Sequence, residues 1–285
     1  ALVAARSRTR VIIADDGIEP GGYLLRSTES IHGGPAIDWV GQIVDELRGC
    51  DNVTFLTKST VFGYYDHNFL TIAEQLDDQC RQREWRIRAK QVVLAQGAIE
   101  RPLVFCNNDR PGVMLAAAVS EYVNRYAVRP GKIAVVFTNN DSAYQAAIDL
   151  HAAGVTVAAI VDSRRAGAGD VAGVIEEARI PILKGHVVWD VAGRRAVTSV
   201  RIARWDGNPA STVNHSIDIA CDLLVMSGGW SPAVHLHSQS GGRNTWDDNL
   251  DCFVPGKTSQ ACVSAGASNG KWTLADCLAD GSRAG

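Results

Sequence analysis

The chain has 285 residues, a formal net charge of -3 at pH 7 and 46% hydrophobic residues, which is enough for two domains of ordinary size. This charge balance excludes the basic surface that nucleic-acid binding requires. No stretch approaches the roughly 20 apolar residues of a membrane-spanning helix, and seven cysteines without paired or zinc-type spacing favour free thiols in a reducing compartment, so we expect a cytoplasmic protein without a metal site.

The chain opens as the end of a helix, a strand and an acidic pair. Ala1 to Arg6 favours a helix, Val11 to Ala14 favours a strand, and Asp15 and Asp16 follow directly. In a dinucleotide-binding βαβ unit, an acid at the end of the second strand accepts hydrogen bonds from the adenosine ribose. The glycine-rich loop of such a unit comes about 20 residues earlier, so we expect it upstream of the printed sequence. The alternative is a polar strand end that turns at Gly17.

Further elements of the first domain follow in chain order. Gly21, Gly22 and Tyr23 lie in a turn-forming cluster where backbone can approach a ligand. Apolar residues at helical spacing predict a helix over 36–47. Strands are predicted at 53–56, 60–65, 69–74 and 85–89, and the last three belong to an antiparallel meander over about residues 59–90. The buried run 91–98 stops at Gly97, where a strand end either contacts a cofactor or simply turns.

A second βαβ pattern begins near Lys132. It predicts a strand over 133–137, a helix over 142–153 and a strand over 155–161 that ends at Asp162. The loop over 138–143 has no glycine, so phosphate oxygens cannot approach its backbone closely, and Asp141 adds negative charge. We interpret this as a nucleotide fold with a degenerate cofactor site, in which Asp141 caps the helix and Asp162 is structural. Further predicted elements are a helix opened by Gly167 to Gly169 and Asp170, strands over 180–183 and 222–229, and a hairpin over 187–205.

The last part of the chain is predicted to return to the first domain. His235 and His237 have no third ligand nearby, so we expect a solvated loop. Residues 261–270 join a strand to a helix over about 272–278, whose first N–H groups and positive dipole end suit a pyrophosphate. The whole pattern predicts an α/β fold with two Rossmann-like dinucleotide-binding domains. Residues 1–105 with 231–285 form the first, which lacks its N-terminal strand and glycine loop, and residues 106–230 form the second.

Three segments resemble the alpha subunit of heterotetrameric sarcosine oxidase: 61–68 (Val-Phe-Gly-Tyr-Tyr-Asp-His-Asn), 97–105 (Gly-Ala-Ile-Glu-Arg-Pro-Leu-Val-Phe) and 107–114 (Asn-Asn-Asp-Arg-Pro-Gly-Val-Met). The resemblance continues through 137–144, 227–232, 238–242, 266–270 and 276–281, so it spans nearly the whole chain. It implies paired FAD/NAD(P)-binding domains of the pyridine nucleotide-disulfide oxidoreductase type.

The resemblance also implies a cofactor and the residues around it. NAD is expected in the first site, with Asp15, Asp16 and Gly17 at the adenosine ribose and the Val61 backbone at the adenine. The rest of the cleft is then lined by Gly21, Gly22, Tyr23, Gly97, Gly266, Ala267, Thr273 and Leu274. Flavoproteins of this type carry an acid at the position of Ala267 that contacts flavin, so its absence argues against FAD here.

For the complete protein, the resemblance implies beta, gamma and delta partner subunits of a heterotetramer active in one-carbon metabolism. FAD, FMN and tetrahydrofolate then belong to the whole complex, which converts sarcosine to glycine, hydrogen peroxide and 5,10-methylenetetrahydrofolate. The isolated chain is expected to be inactive, no catalytic residue is assigned, and Asp66 and His67 are interpreted as turn residues. Two alternatives stay open: the alpha subunit of a related proline, opine or cyanide-forming glycine dehydrogenase, and a scaffold that binds no cofactor.

Overall fold

The computed structural model describes residues 1–77, 81–167, 172–208 and 216–285. The chain divides into two compact units, Ala1–Ile99 with Trp230–Gly285 (unit 1) and Glu100–Gly229 (unit 2), whereas the sequence predicts the divisions after residues 105 and 230. No helix in the described ranges is long and apolar enough to cross a membrane. Cys80, Gly169 and Asp170 lie outside the described residues.

The helices are α1 Leu2–Arg6, α2 Ala36–Arg48, α3 Ala116–Ser120, α4 Ser142–Ala152, α5 Ala172–Glu177, α6 His235–Gln239 and α7 Leu274–Ala284, with 3-10 turns at Gly22–Leu25 and Gly266–Asn269 and a π-helical turn at Glu121–Arg125. The strands are β1 Val11–Ala14, β2 Ser30–Ile31, β3 Gly34–Pro35, β4 Val53–Leu56, β5 Ser59–Tyr65, β6 Phe69–Gln75, β7 Gln82–Arg88, β8 Val92–Leu94, β9 Ala98–Glu100, β10 Val113–Leu115, β11 Ile133–Thr138, β12 Thr156–Asp162, β13 Ile182–Lys184, β14 His186–Ala192, β15 Ser199–Arg204, β16 Ser216–Ala220, β17 Leu223–Ser227, β18 Trp230–Pro232, β19 Asn244–Asp247, β20 Cys252–Pro255 and β21 Cys262–Ser264.

Unit 2 is built on a five-stranded parallel sheet. Its strand order is β10-β17-β11-β12-β13, and every residue of β17 is buried. One face of α4 packs on this sheet through Tyr144, Ala147 and Leu150. A three-stranded antiparallel sheet, β14-β15-β16, lies on the other face through Val188, Val200 and related side chains. Strands that are apolar along their whole length are typical of a parallel sheet covered on both faces, so the predicted second Rossmann-like domain is confirmed.

Unit 1 contains short parallel strand pairs and an antiparallel meander. Strand β1 pairs with β4, and β21 pairs with β8, both in parallel register. The meander is β5-β6-β7, as predicted apart from shifts of a few residues. It packs on the β8–β21 pair through Tyr64, Leu70 and Leu94.

Several sequence predictions need correction in extent. The run predicted as one strand over 91–98 is two short strands, because β8 ends at Leu94 and β9 begins at Ala98. The hairpin predicted over 187–205 is the first two strands of the three-stranded β14-β15-β16 sheet. The helices predicted over 36–47 and 142–153 agree with α2 and α4 to within about one residue, since a 3.6-residue hydrophobic period is a local signal.

Candidate functional site at the carboxyl ends of the unit 1 strands

The predicted binding residues of unit 1 follow the carboxyl ends of parallel strands. Asp15 comes directly after β1, and Gly97 lies three residues after β8. Gly266 lies two residues after β21. In open parallel sheets, ligands bind outside the carboxyl ends of the strands. The topology therefore places these residues at the end of each strand pair where a dinucleotide would bind.

The acidic turn after β1 is held by backbone and side-chain hydrogen bonds. The Asp15 N–H donates to the Leu56 carbonyl at 2.9 Å, and the Asp15 carbonyl accepts the Ser59 N–H at 2.8 Å. One Asp15 carboxylate oxygen, Oδ1, accepts the Gly17 N–H at 2.8 Å. A Cβ on Gly17 would lie only 3.0 Å from that Oδ1 and from the Glu19 carbonyl, so a larger residue there would crowd the turn. Asp15 is half-buried and oriented, whereas Asp16 is exposed.

The glycine cluster after this turn adopts backbone conformations that suit glycine. Gly21 has φ of 140° and Gly22 has φ of 53°, a region that other residues enter at a cost. Tyr23 is exposed, and the Arg26 guanidinium lies 5.4 Å from its ring centroid. Leu24 anchors the cluster in a small core with Val40 and with Leu274. The structure thus brings the predicted residues Gly21 to Tyr23 close to the start of α7.

Val61 lies next to an irregularity in the meander. It pairs with Ile72, while Gly63 pairs with Thr71, so Phe62 is an extra residue on β5. A β-bulge leaves the backbone of one residue outside the ladder, and β5 is also an edge strand of its sheet. Strand β5 begins at Ser59, which bonds Asp15. Val61, the predicted adenine contact, therefore lies on the strand that is hydrogen-bonded to the acidic turn.

Gly97 and Gly266 both lie near the carboxyl end of β8. The Leu94 carbonyl accepts the Ala265 N–H and the Ser268 hydroxyl, each at 2.9 Å. Gly97 has φ of 76°, and a Cβ there would meet nothing within 4 Å. Gly266 has φ of 71°, and its N–H donates to Asp280 Oδ2 at 3.0 Å. Both glycines are needed for their backbone conformation, and the space beside Gly97 is open.

The start of α7 differs from the expected anion site. The helix begins at Leu274, and the Thr273 hydroxyl oxygen accepts the Asp276 N–H at 3.1 Å. The Thr273 hydroxyl also donates to the Asp276 carboxylate at 2.8 Å. This capping arrangement uses one of the free helix donors and adds a negative charge. The Asp276 amide is therefore not available to a phosphate.

The prediction that His235 and His237 lie in a solvated loop is wrong. Both lie on α6, and His237 is only 1% exposed. Its Nε2 lies 3.3 Å from the Arg243 carbonyl, and a Cβ on Gly242 would meet the ring at 2.5 Å. In the ranges that the structure describes, no group of three or more His, Cys, Asp or Glu side chains could hold a metal ion.

The meander tip depends on a residue that sequence reasoning passed over. Asn68, next to Asp66 and His67, is buried with φ of 50°. Its side chain accepts the Tyr64 hydroxyl at 2.7 Å and donates to the Ala261 carbonyl at 3.1 Å. It therefore connects the meander to the start of β21. Only the turn-forming composition of the segment signalled a special role here.

The prediction that Asp141 caps α4 with its side chain is wrong. The Asp141 carboxylate instead pairs with Arg164 at 2.6 Å. The Ser142 N–H, the first of α4, donates to Asn140 Oδ1 at 3.1 Å. Asn140 therefore supplies the side-chain oxygen that accepts a hydrogen bond from the start of the helix. Asp162 is buried and hydrogen-bonded within unit 2, as a structural residue should be.

Comparison with known proteins shows which proteins this chain resembles. The chain is 39% identical over 289 residues to the sarcosine oxidase alpha subunit of Rhizobium meliloti strain 1021, and 38% identical over 292 residues to that of Corynebacterium sp. strain U-96. The chain is homologous to the sarcosine oxidase alpha subunit. These alignments cover 99% and 98% of this chain but 28% and 30% of the sarcosine oxidase alpha subunits. No family profile matches the chain.

Solved structures confirm the predicted fold. Thioredoxin reductase from T. acidophilum has a TM-score of 0.75 at 17% identity, with 100% of this chain and 91% of the reductase covered. L-proline dehydrogenase from P. horikoshii has a TM-score of 0.67 at 18% identity, with 93% of this chain and 47% of the dehydrogenase covered. The chain therefore has the Rossmann-type α/β fold of these two solved structures.

Proposed function

We propose that unit 1 binds NAD at the carboxyl ends of β1, β4, β8 and β21, within the alpha subunit of a sarcosine oxidase. The observation that carries the proposal is the oriented Asp15 carboxylate at the end of a parallel strand. Carboxylate oxygens at this position accept hydrogen bonds from the ribose hydroxyls of NAD. The chain is 39% identical to a sarcosine oxidase alpha subunit, and this identity supports a dinucleotide at the site.

The residues present fit NAD better than FAD. Gly22 and Gly97 have positive φ and nothing within 4 Å of a built Cβ, so the backbone there is accessible to a ligand. Ala267 stands where flavoproteins of this type carry a flavin-contacting acid, and it offers no carboxylate. When bound, NAD supplies an adenine dinucleotide whose ribose and adenine are positioned by Asp15, Asp16 and the Val61 backbone.

We further propose that an additional parallel strand, followed by a glycine-rich turn, lies between β1 and β21. Among the described residues, β1 pairs only with β4, and β21 pairs only with β8. All four residues of β1 are half-buried, whereas the parallel strand β17 of unit 2 is fully buried. Val93 and Val263 are 43% and 36% exposed. Parallel strands normally lie inside larger sheets that are covered on both faces, so the unpaired edges of these two short strand pairs support the additional strand, and the exposed apolar side chains show that their faces are not fully covered.

In the complete protein, the proposed reaction is oxidation of sarcosine by oxygen and water to glycine, hydrogen peroxide and a formaldehyde unit taken up by tetrahydrofolate. Flavins and beta, gamma and delta subunits would perform the oxidation, and this segment would bind cofactor and partners. The six described cysteines are free, which agrees with a reducing cytoplasm. None of the unit 1 residues is proposed as a catalytic acid, base or nucleophile.

A relative with a different activity defines the second candidate. An opine oxidase component of Agrobacterium tumefaciens strain Ach5 is 25% identical over 293 residues and is covered over 57% of its length. The higher identity to sarcosine oxidases favours sarcosine as substrate. Amine oxidation by the complete complex with sarcosine, proline and opines would distinguish the two, because a marked preference for an opine would contradict the sarcosine assignment.

Calorimetric titration with NADH tests the cofactor proposal. The proteins are this chain, the alpha subunit in full length, and full-length variants Asp15→Asn and Asp51→Asn. Asp51 is an exposed acid at the opposite end of the β1–β4 pair, so it is the matched control. We expect Asp15→Asn to weaken binding about 10- to 100-fold, because a hydrogen bond to a charged group contributes roughly 1.5–3 kcal/mol. Failure of the full-length protein to bind NADH would contradict the proposal and favour the scaffold alternative.

A further inference from the structure

Unit 2 has a topological switch point, the place in a doubly wound sheet where the strand order reverses and a nucleotide normally binds. Strand β11 lies in the middle of the β10-β17-β11-β12-β13 order, with β12 on one side and β17 on the other. The chain runs from β11 through α4 to β12 and later returns to β17. In doubly wound sheets, ligands bind in the crevice outside the carboxyl ends of the strands at such a reversal. The relevant strand ends are Thr138, Asp162 and Ser227, all buried.

Asn140 fills the crevice between β11 and β17. Its Nδ2 donates to the Ser227 carbonyl at 3.1 Å and lies 3.2 Å from Ser227 Oγ. The Asn140 N–H donates to the Thr138 hydroxyl oxygen at 3.0 Å, and that hydroxyl donates to the Asn140 carbonyl at 2.9 Å. Asn140 Oδ1 accepts both the N–H and the hydroxyl of Ser142, at 3.1 and 2.6 Å. The Asn140 and Ser142 N–H groups, which a phosphate could use at the start of α4, are thus bonded within the protein itself.

Arg164 covers the acid at the end of β12. The Asp162 side chain is 0% exposed and accepts the Tyr144 hydroxyl at 2.8 Å. It also accepts the Arg164 N–H at 2.9 Å and the guanidinium Nε and Nη2 at 3.1 and 2.7 Å. A Cβ on Gly167 would lie 2.5 Å from Asp162 Oδ2, so the following loop closes over the carboxylate. Ribose hydroxyls have no access to this acid.

We propose that unit 2 carries a built-in replacement for a dinucleotide, with Asn140 in the place of the pyrophosphate and Arg164 in the place of the ribose hydroxyls. Unit 2 therefore takes no dinucleotide, because the protein's own hydrogen bonds occupy the carboxyl ends of β11, β12 and β17. The charges of nearby side chains also disfavour dinucleotide binding. Asp141 and Asp162 both pair with the Arg164 guanidinium, so these three side chains together carry one negative charge, which opposes binding of a pyrophosphate at the end of β12.

Hydrogen exchange of the full chain, with and without millimolar NADH, NADPH, FAD or FMN, tests this proposal. We expect the amides of Asn140, Ser142 and Arg164 to exchange slowly without any nucleotide and at the same rate with each of them. Arg164→Ala should accelerate exchange around residues 162–164 by roughly 10-fold or more, because it leaves a buried carboxylate without its partner. Arg165→Ala changes an exposed neighbour and should leave these rates unchanged.

Nucleotide-induced protection of residues 138–142 or 162–164 in the unmodified chain would overturn the proposal. Should Arg164→Ala fail to fold, Asn140→Ala provides the same test at the crevice, with faster exchange expected at Ser142. Wild-type rates in both variants would also contradict the assigned contacts. Binding at unit 1 is read separately, from protection around residues 15–17 and 97, so failure of the NAD proposal and failure of this one are distinguishable.

Discussion

Replacing Asp280 with alanine should destabilise the turn that presents Gly266. Asp280 is buried on α7, and its Oδ2 accepts the Gly266 N–H at 3.0 Å and the Asn269 side-chain amide at 3.1 Å. Its Oδ1 accepts from Arg283 at 2.9 Å, but the Arg283 side chain is 72% exposed. The carboxylate therefore holds both ends of the Gly266–Asn269 turn against the helix.

The expected magnitude follows from these contacts. A hydrogen bond to a charged group contributes roughly 1.5–3 kcal/mol, and an exposed ion pair contributes about 0–1 kcal/mol. Asn269 is only partly buried, so we expect a total loss of about 3 kcal/mol in the free energy of unfolding for Asp280→Ala. The Gly266 amide should then exchange on the order of 100-fold faster if the loss appears as local opening.

Urea denaturation and residue-level hydrogen exchange measure the two quantities. Asp276→Ala is the matched control, because Asp276 lies one turn earlier on α7 and is exposed; it should cost less than about 1 kcal/mol. Equal effects of the two substitutions, or unchanged exchange at Gly266, would refute the reasoning.

The same contact predicts a pH dependence. Burial opposes ionisation of Asp280, but the hydrogen bonds from Asn269 and Gly266 and the Arg283 charge outweigh it and lower the pKa of Asp280 from its ordinary 3.8. A lowered carboxyl pKa adds stability that is present above the unfolded-state pKa and lost as pH falls through the folded-state value. The stability advantage of the wild type over Asp280→Ala should therefore shrink below about pH 4.

Three further outcomes are expected. Asn68→Ala should cost roughly 1 kcal/mol more than Asn68→Gly in urea denaturation, because both lose the side-chain bonds but only alanine is strained at φ of 50°; equal losses would contradict this. Native-state thiol labelling should modify exposed Cys106 and spare Cys221, since burial and the Asp222 charge raise the pKa of Cys221 to about 11; rapid Cys221 labelling would show that its burial is wrong. Burial raises the pKa of both Tyr64 and Tyr144, so stability should fall as pH rises above about 10, where only the unfolded chain ionises these groups; in spectrophotometric titration, ionisation of both before unfolding would disprove it.

Elements whose signals are local could be predicted from the amino-acid sequence. The helical period over 36–47 gave α2, and the apolar run that follows Asp222 gave the buried strand β17. The strand followed by Asp15 and Asp16 was also readable, because an acid at a strand end is adjacent in the chain to the strand that positions it. The absence of glycine between β11 and α4 predicted a degenerate phosphate loop for the same reason.

The pairing of polar groups could not be predicted from the sequence and became visible in the folded chain. Asn68 bonds the Ala261 carbonyl across 193 residues of sequence, and Gly266 meets Asp280 across a turn and half a helix. His237 is buried although the lack of a third ligand near His235 and His237 suggested a solvated loop. Arg164 covers Asp162 instead of pointing into water. A hydrophobic period repeats along the chain, so a short segment is enough to recognise it. A single polar side chain bonds a residue that is distant in sequence, and no repeating pattern in the sequence indicates which residue that is.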